Sequence, residues 1–165
     1  MTPHTQEVLD YILGLTGAHC ENVFVAGGAA VDIDKAGDVD LIYAHSFLNQ
    51  AVEFAESLPI KHIALTTTAE GYAGHQYLFI AEALIPGVSI PVQIMLNKLD
   101  GIEALLSTYD ISTHMYAYTA SHKQIEHTKA TPPEIPPVVC CIGSKTLSRY
   151  IKICQRYGHP PDLGY

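Results

Sequence analysis

Apolar and polar positions along the 165-residue chain alternate in two distinct rhythms. Val8, Leu9, Ile12 and Leu15 recur at helical spacing, which predicts an opening helix over 5–15. Two short β-branched runs, 23–26 and 39–44, follow and predict strands. Residues 47–58 return to the helical rhythm: Phe47, Leu48, Ala51, Val52, Ala55 and Leu58 form one face, Ser46 suits the N-cap and Pro59 closes the region. Strands are predicted over 62–67, 77–85 and 89–96, the last two joined by a Pro86-Gly87 turn. A short helix over 101–109 comes next, then a strand or a strand-to-helix transition over 111–119. Residues 131–137 hold four prolines and read as an extended connector to a final helix over 145–158. The tail beyond Gly158 reads as surface-bound or frayed. The order predicts an α/β (α+β) sandwich, a mixed sheet flanked by helices, in one domain spanning 1–165.

Chemistry concentrates at the two early strands. The first ends in Gly27-Gly28, and the second carries Asp38 and Asp40 at alternate positions. Alternate strand residues share a face, so the two carboxylates project together and repel each other unless a cation lies between them. Oxygen-only ligands at this spacing suit Mg²⁺ or Mn²⁺, which needs one or two protein carboxylates beside substrate phosphates. Gly27 and Gly28 offer backbone N–H groups unobstructed by side chains, which suits a triphosphate. Asp32 and Asp34 lie in the connecting turn and read as a solvated acidic stretch.

Composition narrows the partners. Seventeen acidic against nine basic residues give a net charge of −8, which opposes non-specific nucleic-acid binding. Four of the nine cations, Lys145, Arg149, Lys152 and Arg156, fall on one stripe of the last helix, with Leu147, Tyr150, Ile151 and Cys154 opposite. A stripe holding both arginines of so acidic a chain is aimed at the phosphates of an NTP or an acceptor. No apolar run reaches membrane-span length and the first residues lack a leader pattern, so the expected location is cytoplasmic, with no membrane partner. The four cysteines lack CxxC spacing and read as buried free thiols, and the nine histidines show no metal-ligand spacing.

Val25-Ala26-Gly27-Gly28-Ala29-Ala30 through Asp38-Val39-Asp40-Leu41 resembles the head-domain signature of the DNA polymerase β-like nucleotidyltransferases, nearest the CCA-adding enzymes and poly(A) polymerases. Thr108-Tyr109-Asp110-Ile111-Ser112 resembles the segment following that family's catalytic sheet. With the strand Val92-Gln93-Ile94-Met95 before it, it is closer to small stand-alone, phage-type members. Residues 145–158 resemble the helix after the head domain. The chain departs from the family pattern in lacking an arginine around Val31-Asp32 and in a shorter intervening helix. The resemblance implies transfer of an NMP from an NTP to an acceptor hydroxyl, with Asp38 and Asp40 as Mg²⁺ or Mn²⁺ ligands and RNA, a protein or a small molecule as acceptor. A full-size CCA-adding enzyme is not expected at this length.

The resemblance also implies a third carboxylate from a later strand, where this chain presents Gln93. An amide can coordinate through its oxygen but cannot act as a base. Asp110 stands as the substitute carboxylate, or else as a helix-terminal cap. The alternative function is therefore a weak or inactive nucleotidyltransferase fold that binds nucleotide, or an acidic, viral-type interaction factor.

Overall fold

The computed structural model describes residues 1–17, 22–58, 60–66 and 77–164, with 60–66 described by their backbone pairing alone. The opening helix α1, Pro3–Leu15, starts two residues earlier than expected because Thr2 caps it: the Thr5 N–H donates to Thr2 Oγ1 at 3.1 Å and proline occupies the first turn. Strand β1, Val23–Ala26, runs into a 3₁₀ turn at Gly27–Ala30, and β2 follows at Val39–Ala44. Helix α2, Leu48–Ser57, leads to β3 at Ile60–Thr66, then β4 at Tyr77–Leu84 and β5 at Val92–Asn97. Helix α3, Ile102–Leu106, a 3₁₀ turn at Ser112–His114, β6 at Tyr116–Thr119, β7 at Lys123–Glu126 and α4 at Thr146–Tyr157 complete the order.

The seven strands form one mixed sheet in the order β3-β4-β5-β2-β1-β6-β7. Only the central β2–β5 pair among these neighbours is parallel; the other pairs are antiparallel. One face carries Val25, Leu41, Tyr43, Ile94 and Tyr118 and is covered by α1 and α2 through Leu9, Ile12, Ala51, Phe54 and Ala55. The opposite face carries Phe24, Ile42, Met95 and Ala117 and is covered by Leu105 and Leu106 of α3, with Tyr109 and Met115. Asp40 lies on this second face, two residues before Ile42.

Several expectations need correction. Ser46 does not cap α2: it lies inside a 3₁₀ turn at His45–Phe47, and Phe47 takes the cap position without a side-chain bond. Leu48 is consequently exposed, and Phe54 takes its place in the core. The stretch expected as one element over 111–119 splits into the Ser112–His114 turn and β6. Strand β5 begins at Val92 rather than residue 89, since Pro91 has no N–H for the ladder, although its carbonyl accepts from Val39 N at 2.9 Å. Strand β7 was not expected: its sequence, Lys-Gln-Ile-Glu, is polar because it is an edge facing solvent. The end of the strand expected over 62–67 lies at Thr67, outside the described residues. Cys140 and Cys141 are free and only half-buried, Cys154 is buried, and Cys20 lies outside the described residues.

Leu105 is fully buried between α3 and the sheet. Leu105→Ala is expected to cost about 2–5 kcal/mol in urea unfolding. Leu48→Ala, on the exposed side of α2, should change stability by no more than about 0.5 kcal/mol.

Candidate active site

Thirteen residues from four stretches of the chain line one cleft at the edge of the second sheet face, Gly27, Gly28, Asp38, Asp40, Asp110, Arg149, Lys152 and Arg156 among them. Asp40 lies in β2, paired with Ala26 of β1 and Gln93 of β5; Asp38 immediately precedes the strand. Gly27 turns the chain over them with φ +80°, a left-handed conformation that side chains resist. A Cβ there would stand 3.6 Å from Asp40 Oδ2, so the backbone of this turn passes directly against the carboxylate. A Cβ on Gly28 would stand 3.1 Å from His114 Nε2, tighter than the site admits without movement. The glycine pair is thus wedged between Asp40 and the His114 ring, close to both because neither glycine has a side chain.

Helix α4 forms the opposite wall. Ile153, Cys154 and Tyr150 pack on Ile111, the neighbour of Asp110. Asp110 Oδ2 accepts from Thr146 Oγ1 at 2.8 Å and from Arg149 Nη2 at 2.6 Å. This pair is mostly buried, at 22% and 14% side-chain exposure, which favours a well-fixed ion pair over a surface one. Its carboxylate also stands near the start of a twelve-residue helix, where negative charge is favoured. Asp110 therefore lies in the cleft, as a substitute carboxylate would, while committing this oxygen to anchoring α4.

Of the expected cationic stripe, Arg149, Lys152 and Arg156 line the cleft and Lys145 does not. Lys145 is the N-cap of α4, with φ −108° and ψ 3°, and so falls outside the helical spacing that aligns the others. Leu147 was expected to pack inward but is 63% exposed; Ile153 fills that side instead.

The electrostatics record two carboxylates taken partly out of water beside other acids. Burial raises the Asp38 carboxyl above its ordinary pKa, Glu82 raises it further, and Arg156 offsets part of this. Burial raises Asp40 well above the ordinary value, Asp38 adds to the rise, and Arg149 opposes it. His114 was not anticipated from the sequence. Its imidazole is pushed down to about 4, by burial first, then by Arg156 and Arg149 against the pull of Asp110. It is neutral at pH 7, and its buried Nε2 has no hydrogen-bond partner among the described residues. Its position four residues after Asp110 was the one available signal. Tyr109, a further lining residue, bonds Tyr77 through the two hydroxyls at 2.6 Å.

No family model matches the chain, and no curated protein matches it in sequence. Solved structures do. The Thermotoga maritima CCA-adding enzyme complexed with tRNA matches with a TM-score of 0.60 at 16% identity, over 99% of this chain and 40% of that one. A complex of a CCA-adding enzyme with CTP matches with a TM-score of 0.48 at 17% identity, over 74% and 29%. What is shared is the fold. It is the mixed sheet flanked by helices expected of a nucleotidyltransferase head, and the chain spans 40% of the length of the Thermotoga enzyme. No helix among the described residues is long and apolar enough to cross a membrane.

Removing one of the two repelling charges tests this geometry. At pH 7 Asp40→Asn should melt at or above the wild type, by on the order of 1 kcal/mol at most, since solvent reaches the cleft. A raised carboxyl pKa in the folded state means that the folded wild type takes up the proton more readily than the unfolded chain. Wild-type stability therefore recovers as pH falls through the folded value, and the advantage of the variant should shrink towards pH 4. His114 destabilises both proteins equally on acidification, so it cancels in the difference. Thermal melts of both proteins from pH 4 to 7.5 measure it.

Proposed function

We propose that this cleft binds an NTP with Mg²⁺ or Mn²⁺ and transfers the NMP to an acceptor hydroxyl, releasing pyrophosphate. The observation that carries this reading is the convergence on one cleft of Asp38 and Asp40, the Gly27-Gly28 turn and three cations of α4. Among the described residues no three His, Cys, Asp or Glu side chains cluster to hold a metal by themselves. Two carboxylates suffice for Mg²⁺ when phosphate oxygens complete its shell, and this donor set is made of hard oxygens. The raised pKa of both groups marks a place where added positive charge stabilises the fold. The residues fit the ion.

In this reading Asp38 and Asp40 hold the cation, and Gly27 and Gly28 present backbone to the triphosphate. A bound divalent cation neutralises phosphate charge and eases loss of the acceptor's proton. Lys152 and Arg156 neutralise the outer phosphates. Arg149 faces Asp40, held in place by Asp110, whose part is to position that guanidinium and α4. The acceptor oxygen forms a bond to the α-phosphorus as the bond to the β-phosphate bridging oxygen breaks. Acceptors compatible with the reading are an RNA end, a protein hydroxyl or a small molecule, and the expected compartment is the cytoplasm. The small stand-alone, phage-type members are the relatives this reading favours.

One observation favours a second reading. Gln93 stands opposite Asp40 where an acid was expected, and the cleft's third acid, Asp110, is tied to Arg149 and Thr146, an arrangement compatible with nucleotide binding without turnover. Incubation with each α-labelled NTP, Mg²⁺ or Mn²⁺, and cell RNA plus cell protein separates the two. The proposal expects a labelled macromolecule or small product with wild type and none with Asp40→Asn. Nucleotide binding without any labelling supports the second reading, and absence of metal-dependent NTP binding contradicts both. Arg156→Ala should weaken NTP binding about tenfold, the scale of one lost charge-assisted bond, as read by calorimetry.

A further inference from the structure

The sheet register places Asp40, Gln93 and Glu82 in one row across three adjacent strands. Asp40 pairs with Gln93 in the parallel β2–β5 ladder, and Gln93 pairs with Glu82 in the antiparallel β5–β4 ladder. Paired residues on neighbouring strands project to the same face, with strands about 4.8 Å apart. The apolar neighbours agree. Val92 and Ile94 on either side of Gln93, and Ala81 and Ala83 on either side of Glu82, pack in the cluster on the other face. Gln93 Nε2 donates to Glu82 Oε2 at 3.4 Å, a long bond between two half-buried side chains.

That bond fixes the amide's sense. A carboxylate only accepts, so the NH₂ group must face Glu82, and Oε1 is turned away from β4. The next strand in that direction is β2, which carries Asp40.

We propose that Gln93 Oε1 is a third oxygen ligand for the divalent cation held by Asp38 and Asp40, and that Glu82 is its positioning residue. An amide oxygen is an ordinary ligand for hard divalent cations. Glu82 orients it as carboxylates orient metal-binding imidazoles, and supplies the missing negative charge one strand further out. The arrangement trades a charged ligand for a neutral one with its charge displaced behind it. This deepens the metal–nucleotide reading of the same cleft and rests on it.

The test is Mn²⁺ titration followed by the EPR signal of the free ion, with circular dichroism melts to confirm folding. Wild type, Asp40→Asn, Gln93→Leu, Glu82→Leu, the Gln93→Leu/Glu82→Leu double variant and the isosteric Glu82→Gln are compared. Gln93→Leu should bind Mn²⁺ at least about tenfold more weakly than wild type, and Glu82→Leu should lose about tenfold as well, the scale of removing a partner behind a ligand. The double variant should be no weaker than Gln93→Leu alone, because Glu82 acts through Gln93. Glu82→Gln keeps size and removes the charge, so it should also weaken binding and decides the matter if the leucine variants do not fold. Wild-type affinity in Gln93→Leu or Glu82→Gln, or additive losses in the double variant, would overturn the inference while leaving the two-carboxylate site intact. Absence of saturable Mn²⁺ binding in wild type, or no loss in Asp40→Asn, would overturn the metal reading and this inference together.

Discussion

Two carboxylates brought to one cleft, Asp40 within a central strand and Asp38 just before it, are the constraint on which this site is organised. Strand β2 is laddered on both sides, antiparallel to β1 and parallel to β5, so Asp40 cannot turn away from Asp38 without breaking pairing in the middle of the sheet. Burial raises both carboxyls, with Glu82 adding to the rise at Asp38 and Asp38 adding to the rise at Asp40. The rest of the site responds to that. Helix α4 brings Arg156 against Asp38 and Arg149 against Asp40, and Asp110 with Thr146 anchors the helix where it can do so. The Gly27 turn closes over Asp40 with only backbone. The arginines offset part of the rise in both carboxyls.

Much of this was legible in the sequence because it depends on short-range periodicity. Asp38 and Asp40 were expected to project together and both line the cleft, although Asp38 lies just before the strand, and glycine at Gly27 takes a left-handed turn. The three- and four-residue steps of α4 foretold that Arg149, Lys152 and Arg156 share a wall. Lys145 failed for a local reason: it precedes the first helical residue, so the helical step does not apply to it. Leu147 failed for a tertiary one. The inward face of α4 is set by where Ile111 lies, which rotates Ile153 and Cys154 into contact and leaves Leu147 outside.

What the sequence could not supply is register across strands distant along the chain. Gln93 read as a missing acid whose oxygen could still coordinate, and the Pro86-Gly87 turn linked its strand to that of Glu82 without setting which residues pair. Pairing of β4 with β5 makes those two residues neighbours and aligns both with Asp40. His114 was hidden similarly: its contact with Gly28 joins positions about half the chain apart, and a lone histidine carries little information by itself. Edge strand β7 was missed because a polar edge lacks the alternation that marks a half-buried strand.

The fold shared with the Thermotoga CCA-adding enzyme and the convergence of charges on one cleft fit a single account, in which the repulsion between Asp38 and Asp40 is relieved by a metal–nucleotide complex. The most direct measurement is the anomalous diffraction of crystals grown with Mn²⁺ and a non-hydrolysable NTP analogue. The account predicts a manganese peak between the Asp38 and Asp40 carboxylates, with triphosphate against the Gly27-Gly28 turn. Manganese bound elsewhere, or nucleotide seated away from that turn while the cleft stays metal-free, would contradict it.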